Sequence, residues 1–238
     1  MRPSRVHAAM IACALVATGG GAHAQPTPNP APNPAPKLTT PRVPFPHPII
    51  TEVFYAPGRN DDASGDGKRS AQGDEFIEIV NPHDKTIRLD GYVLTDRNAP
   101  SAGQLKFVFP ACTLNPGQAA VVFNGLETKP QGPSGTTRAA SGPNPSFGGA
   151  LVFSMENDSS TVALANGGDY VCLTAPDGTV VQLVTWGEYD EVQPSALLRD
   201  DAPRVSGQSV QRKGLSGEMT PHRELDNVSF SPGVAPKG

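Results

Sequence analysis

Short apolar runs separated by turn-forming residues dominate the chain from residue 49 onward. The runs are rich in Val, Ile, Phe and Thr, and clusters of Gly, Pro, Asn and Asp lie between them. No segment carries a helical period of apolar residues over three turns. Regularly punctuated runs of this kind predict an all-β sandwich or barrel. The predicted strands are residues 49–55, 75–80, 91–95, 106–109, 119–123, 161–164, 170–174 and 180–185.

Alternation within the runs predicts which side chains face the core. Successive side chains of a strand point to opposite faces, so Ile77 and Ile79 share one face and Phe76 and Glu78 the other. We expect the two isoleucines to be the core pair. Pro116-Gly117 fits a type II turn. Asp177-Gly178 predicts a hairpin between the last two runs.

One stretch of the chain resembles a known family. From Asp74 to Gln118 the segments DEFIEIVNP, RLDGYVLTD and FVFPACTLNPGQ follow one another. Their order and spacing resemble the lamin tail domain, an immunoglobulin-like β-sandwich found in nuclear lamins and in secreted bacterial proteins. The matching positions are Phe76, Ile77, Glu78, Ile79, Asn81, Leu89, Gly91, Phe109, Pro110, Leu114, Pro116 and Gly117. The resemblance implies a binding or structural module.

The N-terminus has the features of a secretory signal. Arg2 and Arg5 supply positive charge, residues 8–17 are apolar, and Ala22-His23-Ala24 matches a small-x-small cleavage site. We expect cleavage after about Ala24 and a mature protein that is secreted, periplasmic or attached to the cell envelope. An apolar run of roughly 10 to 14 residues is too short to span a bilayer. The mature chain is therefore expected to have no transmembrane segment.

Proline dominates the segment that follows the predicted signal. Residues 25–48 contain ten prolines, and their composition predicts a disordered linker, either a plain spacer or a ligand for a proline-recognising groove. A single sandwich is then predicted over residues 49–233, followed by a short tail at 234–238. Residues 125–149 are nearly free of apolar side chains and predict a flexible insertion, with a binding loop as the alternative.

The charge balance argues against nucleic-acid binding. The whole chain carries 19 basic and 23 acidic residues, and removing Arg2 and Arg5 with the signal leaves 17 and 23, a net charge of −6. An acidic chain does not attract phosphate backbones by bulk electrostatics. The partner expected instead is an extracellular or envelope protein, or a glycan.

Residues 60–67, NDDASGDG, form the most suggestive polar cluster. Calcium prefers hard oxygen ligands in a flexible loop, and the candidate ligands are Asp61, Asp62, Ser64, Asp66 and Asp74. Compared with an EF-hand loop, the pattern fails at position 12, which is Gly73 instead of Glu. The alternative is a plain connection in which Asp, Ser and Gly favour turns. A structural calcium ion is the only cofactor the sequence suggests.

Two cysteines remain after the predicted signal is removed. In an exported protein Cys112 and Cys172 are permitted to form a disulfide, with two unpaired thiols as the alternative. Alternation around Cys172 places it opposite Val171 and Leu173, which lowers the expectation of a bridge if those two face the core.

Catalytic motifs are absent from the sequence. His47, His83 and His222 each neighbour proline, and they are interpreted as isolated surface residues. Glu75 and Glu78 lie three apart on a strand and so on opposite faces. The preferred hypothesis is a non-enzymatic binding module. The alternatives are a calcium-assisted carbohydrate-binding module and a secreted metal-dependent hydrolase.

Five aromatic residues are either core residues or stacking platforms: Trp186, Tyr189, Tyr92, Tyr170 and Tyr55. Tyr189 is the best exposed candidate.

Overall fold

The computed structural model describes residues 41–97, 103–189 and 192–237. Within these ranges the chain forms thirteen strands, a single 3-10 turn (Pro145–Phe147) and a single short α-helix, α1 (His222–Asp226). The strands are β1 (Ile49–Phe54), β2 (Phe76–Val80), β3 (Ile87–Arg88), β4 (Val93–Thr95), β5 (Lys106–Val108), β6 (Thr113–Leu114), β7 (Ala119–Phe123), β8 (Leu151–Ser154), β9 (Gly168–Thr174), β10 (Val180–Gly187), β11 (Leu198–Asp201), β12 (Val210–Arg212) and β13 (Met219–Pro221).

Two sheets face each other, and a two-stranded ribbon lies beside them. Sheet I has the order β13-β12-β1-β2-β7-β8, sheet II has the order β11-β10-β9-β4-β5, and β3 pairs with β6. Most neighbours are antiparallel, but β7 pairs with β8 and β10 with β11 in parallel. The predicted all-β, immunoglobulin-like sandwich is therefore confirmed, although the predicted strand at 161–164 is wrong because that segment is a turn.

The core between the sheets follows the alternation in the sequence. Ile77 and Ile79 both belong to the main buried cluster, as predicted. The rings of Tyr55 and Trp186 stack at 4.3 Å with an angle of 7° between them, and Phe153 packs among other core phenylalanines. Aromatic side chains contribute large buried areas. They therefore account for much of the contact that joins sheet I to sheet II.

Sheet I is buried on its second face as well. Phe54, Phe76 and Phe123 form a second cluster there, against which Phe230 and Ala235 pack. The segment that follows α1 thus covers the face of sheet I that points away from sheet II. This explains why β2 is buried along its whole length, whereas a half-exposed strand would alternate between buried and exposed positions.

Both predicted turns are present. Gln118 N donates to Asn115 O at 3.0 Å, and Gly117 has φ +71°, the positive value that a type II turn requires at this position. Gly178, at φ +87°, closes the turn between β9 and β10. The register of that hairpin pairs Val180 with Thr174.

Residues 41–48 belong to the folded unit, which corrects the expected extent of the linker. Val43 is 2% exposed, and Arg42 Nη1 lies 2.7 Å from Asp200 Oδ1. The ion pair and the buried valine fix this segment to the domain. A linker boundary placed from the proline content alone therefore lies too far along the chain. Residues 25–40 of the predicted linker, and the whole predicted signal, lie outside the described residues.

The predicted insertion at 125–149 has defined structure over its length. Gly135 N donates to Val152 O at 2.8 Å and Ser154 N donates to Gly135 O at 3.0 Å, which covers the outer edge of β8. Asn144 is fully buried and its side-chain amide donates to Gln131 O at 2.8 Å. Hydrogen bonds replace the missing apolar side chains here, so the low apolar content does not make this segment unstructured.

A buried ion pair connects the two sheets near β12. Arg212 is 0% exposed and its Nη2 donates to Asp200 Oδ2 at 2.6 Å. Gln182 donates to the same carboxylate oxygen at 2.8 Å and accepts from Ile50 N at 2.6 Å. Since Asp200 and Gln182 lie in sheet II while Arg212 and Ile50 lie in sheet I, this network fixes one sheet against the other.

Candidate binding groove

The aspartate-rich loop is closed by hydrogen bonds to its own backbone. Asp62 Oδ1 accepts from Gly65 N at 2.8 Å and from Asp66 N at 3.2 Å, and its Oδ2 accepts from Gly67 N at 2.8 Å. Ser64 Oγ donates to the same carboxylate at 3.2 Å. A carboxylate that accepts several N–H groups stabilises a tight turn. These contacts support the plain-connection interpretation.

The other predicted calcium ligands are also bonded to the chain. Asp74 accepts from Ser64 N at 2.9 Å and from Ser70 N at 2.7 Å, while Asp61 and Asp66 accept backbone N–H groups elsewhere. Burial raises the pKa of the Asp74 carboxyl. Across the three described ranges, no three His, Cys, Asp or Glu side chains gather in a metal-binding arrangement. The calcium site remains a prediction from the sequence.

The predicted disulfide between Cys112 and Cys172 is not formed, and both cysteines are free. Val171 and Leu173 face the main core, whereas Cys172 lies in a separate cluster on the opposite face of sheet II. Cys112 packs against the main core. The strand alternation that directs Cys172 away from the core therefore separates the two thiols. Burial raises the pKa of the Cys112 thiol to about 11.

The candidate aromatic platforms are mostly core residues. Tyr55, Tyr92, Tyr170 and Trp186 are all buried. Tyr189 is half-buried and lines a polar cavity of about 500 Å³. Its ring packs against Tyr170 at 5.8 Å, so Tyr189 is tied to sheet II and is not an open platform.

The interpretation of the histidines as surface residues is wrong for two of the three. His83 and His222 are buried, and His222 lies on α1 against the outer face of sheet I. Its Nδ1 is 3.0 Å from Glu52 Oε1 and 2.8 Å from Ser209 Oγ. A Ser-His-acid set of this kind suggests nucleophilic catalysis. Ser209 and His222 are both 0% exposed, however, so a substrate cannot reach them.

Glu52 and Glu78 form a buried carboxylate pair that sequence reasoning missed. They are direct partners across β1 and β2, and both are 0% exposed. Burial and the neighbouring charge of Glu52 raise the pKa of Glu78 well above its ordinary value. Burial alone lowers the pKa of His222, but its hydrogen bond to Glu52 and the nearby acidic charges give a net increase. The signal in the sequence is two glutamates inside otherwise apolar strands.

This carboxylate pair holds the C-terminal segment in place. Ser231 N donates to Glu52 Oε1 at 3.0 Å, and Gly233 N donates to Glu78 Oε2 at 2.8 Å. Buried acceptors of backbone N–H groups are costly to remove, because the donors are then left unpaired. The role supported by this geometry is structural.

A second group of buried acids, Glu75, Asp96 and Asp169, fixes the loops around β9. Burial raises the pKa of Asp96 to about 8, with a further contribution from the charge of Asp169. Burial also raises the pKa of Glu75, and the charges of Asp169 and Asp96 add to that increase. Each accepts a backbone N–H: Glu75 from Leu164 at 3.1 Å, Asp96 from Leu105 at 2.8 Å, and Asp169 from Ala165 at 2.7 Å. Glu75 and Glu78 belong to different hydrogen-bond networks, as expected for side chains on opposite faces of a strand.

A largely apolar groove of about 720 Å³ lies where residues 41–48, β3 and the turn between β9 and β10 meet. We call it the Phe45 groove. Its apolar lining includes Phe45, Pro46, Ile87, Tyr92 and Pro176. Surface concavities of this size that expose apolar side chains are typical of binding sites.

Phe45 is exposed and yet held in place. Its side chain is 54% exposed, and its ring meets the His83 ring edge to face at 5.5 Å. Lys85 Nζ lies 5.9 Å from the centre of the same ring. His83 Nε2 donates to His47 O at 2.9 Å, which ties the Phe45 segment to the loop before β3. A partner that binds here therefore meets a positioned phenyl ring.

The floor of the groove is uncharged and its rim is charged. The Tyr92 hydroxyl and His47 Nδ1 form a hydrogen bond of 2.8 Å. Burial lowers the pKa of His47 and raises that of Tyr92 to about 12, so burial favours the neutral form of both side chains. Arg88 and Asp90 form an exposed ion pair of 3.4 Å on the rim, where Asp177 is also exposed. An apolar centre with a polar rim is the usual composition of a protein interface.

The two facing sheets define this chain as an immunoglobulin-like β-sandwich. A family model for the lamin tail domain matches residues 44–188, well over half of the sequence. The chain belongs to the lamin tail domain family, whose members are immunoglobulin-like binding or structural modules. The matched region includes Phe45 and the rest of the groove. A comparison with curated proteins gives no match.

No helix formed by residues 41–97, 103–189 or 192–237 has the length and apolar character needed to cross a bilayer.

Proposed function

We propose that this chain is an exported, non-enzymatic lamin-tail-domain protein that binds another protein outside the cell or at the cell envelope. The proposed contact surface is the Phe45 groove. Export rests on the signal-like residues 1–24, and the absence of catalysis rests on the motifs missing from the sequence. Family membership supports a binding or structural module, while the partner is part of the proposal.

The observation that carries this proposal is the exposure of Phe45. A phenyl ring that stays half in water forgoes the stabilisation of burial, which is on the order of 2 kcal/mol for a large apolar side chain. Anchoring contacts to His83 and Lys85 hold the ring in that position. Aromatic side chains in such settings are frequent hot spots for binding.

The chemistry of the groove favours a protein over a charged ligand. Its floor contains neutral His47 and Tyr92, so neither an anion nor a cation meets an opposite charge there. Charged groups lie on the rim, where they improve the rate of association and the choice of partner more than the affinity.

Capture of proteins from the extracellular and envelope fractions tests the proposal. The whole chain is compared with Phe45→Ala and with Leu197→Ala, a matched control whose side chain is 55% exposed outside the groove. We expect a partner that is retained by the parent chain and by the control and lost by Phe45→Ala. Equal retention by all three chains would show that the groove is not the contact surface.

A further inference from the structure

We propose that the Phe45 groove binds the proline-rich segment, residues 25–37, of a second copy of this chain. This inference rests on the proposed function, because it uses the same groove and names its occupant.

The apolar part of the groove fits an extended, proline-rich chain. Phe45 offers a fixed aromatic face, and Pro46 and Pro176, which are both exposed, line the same groove. Polyproline segments are recognised by aromatic-lined grooves, because their extended conformation is preformed and loses little entropy on binding. A flexible apolar peptide would lose more entropy on binding.

The composition of residues 25–37, QPTPNPAPNPAPK, suits the groove. Proline occupies every second position from 26 to 36, and residues 25–36 contain no acidic or basic side chain. The uncharged stretch matches the uncharged floor formed by His47 and Tyr92. Lys37 then supplies one positive charge next to a rim on which Arg88 pairs with Asp90 and Asp177 adds a further negative charge.

The attachment of the segment favours a second copy over the same chain. Arg42 is bonded to Asp200 and Val43 is buried, so the chain joins the folded unit at this point. Only residues 38–41 separate Lys37 from Arg42, and the five steps between those two residues span at most about 18 Å when fully extended. Pro41 also restricts its own φ. For residues 25–37 to enter the groove of their own chain, the backbone would have to reverse its direction within this short stretch.

Binding between copies is expected to be reciprocal. If each chain places its segment in the groove of the other, the contact is made twice and closes a symmetric dimer. Linking the two contacts strengthens the pair relative to a single contact, since the second becomes intramolecular.

Sedimentation equilibrium of the whole chain over a range of concentrations tests the proposal. The variants are Phe45→Ala in the groove, replacement of the six prolines at even positions 26–36 by Ala in the segment, and Leu197→Ala as the control. Every variant keeps residues 8–17, so association caused by that apolar run affects all of them equally. We expect the dimer dissociation constant to rise at least about tenfold for the first two variants and to stay unchanged for Leu197→Ala.

A mixing experiment distinguishes a second copy from the same chain. The Phe45→Ala chain has an intact segment and the proline-replaced chain has an intact groove. We expect the two to associate with each other more tightly than either associates with itself. Monomers at every concentration, or no gain on mixing, would overturn the proposal. If Phe45→Ala nevertheless loses an external partner, the proposed function stands and only this inference fails.

Discussion

Replacing Glu78 with Gln is expected to change how the stability of this domain depends on pH. Glu78 is fully buried opposite Glu52, and its pKa is raised well above the ordinary value. The folded protein therefore keeps the Glu78 proton in a pH range where the unfolded chain has released it. Stability from this proton is complete below the unfolded pKa of about 4.5. This stabilisation is lost as the pH rises through the pKa of Glu78 in the folded protein.

The magnitude follows from proton linkage. Between the unfolded and folded pKa values the folded state binds one more proton, so the free energy of unfolding falls by about 1.4 kcal/mol per pH unit. The glutamine introduced by Glu78→Gln carries no titrating proton. Thr51 Oγ1 donates to Glu78 Oε1 at 2.6 Å; with a protonated carboxyl or an amide N–H₂ at that position the threonine hydroxyl turns and accepts instead, while the carbonyl oxygen accepts from Gly233 N. The substitution thus preserves both contacts of the neutral carboxyl.

Urea unfolding of the parent chain and Glu78→Gln from pH 4 to pH 9 measures the effect. The difference between the two cancels the contribution of the buried acids with raised pKa values that belong to the other group, including Glu75 and Asp96. We expect Glu78→Gln to gain stability relative to the parent as the pH rises above about 4.5. Glu224→Gln, an exposed replacement on α1, should show no such trend. A pH-independent difference for Glu78→Gln would refute this reasoning.

Three further substitutions test other parts of the structure by urea unfolding. Asp200→Asn leaves buried Arg212 without its charge partner and should lower the free energy of unfolding by about 3–5 kcal/mol. A decrease of less than about 1 kcal/mol would contradict a stabilising role of the ion pair. Asp62→Ala removes the hydrogen-bond acceptor that closes the loop of residues 62–67 and should lower the free energy of unfolding by about 1–3 kcal/mol, even with a chelator present. A decrease seen only in the presence of calcium would instead support the predicted metal site. Phe153→Ala opens a cavity in the core and should lower the free energy of unfolding by about 3–5 kcal/mol. A small decrease would mean that the two sheets move together and fill the cavity.

The sequence is informative about the sandwich because the two sheets impose a simple repeat. Ile77 and Ile79 alternate with outward residues, and Gly117 occupies a turn position that needs positive φ. These features depend on neighbours in the chain, so they can be read locally. The parallel pairings of β8 and β11 have no local signature, because they depend on contacts between distant segments.

The groove and the buried acids are hard to predict for the same reason. Phe45 lies in a proline-rich stretch whose composition predicts a linker, and its groove exists only because β3 and the turn at Pro176 are brought beside it. Glu52 and Glu78 read as the outward residues of two strands, which is where charged side chains usually meet water. The C-terminal segment covers that face and turns them into a buried pair.

Site-specific photo-cross-linking from the groove tests the central claim of a binding module most directly. A cross-linking side chain replaces exposed Arg88 on the groove rim or, as the control, exposed Arg223 on α1. We predict one defined adduct from position 88 that disappears when Phe45→Ala is added, and no such adduct from position 223. Adducts that are equal at the two positions, or that are insensitive to Phe45→Ala, would contradict a binding role for this groove.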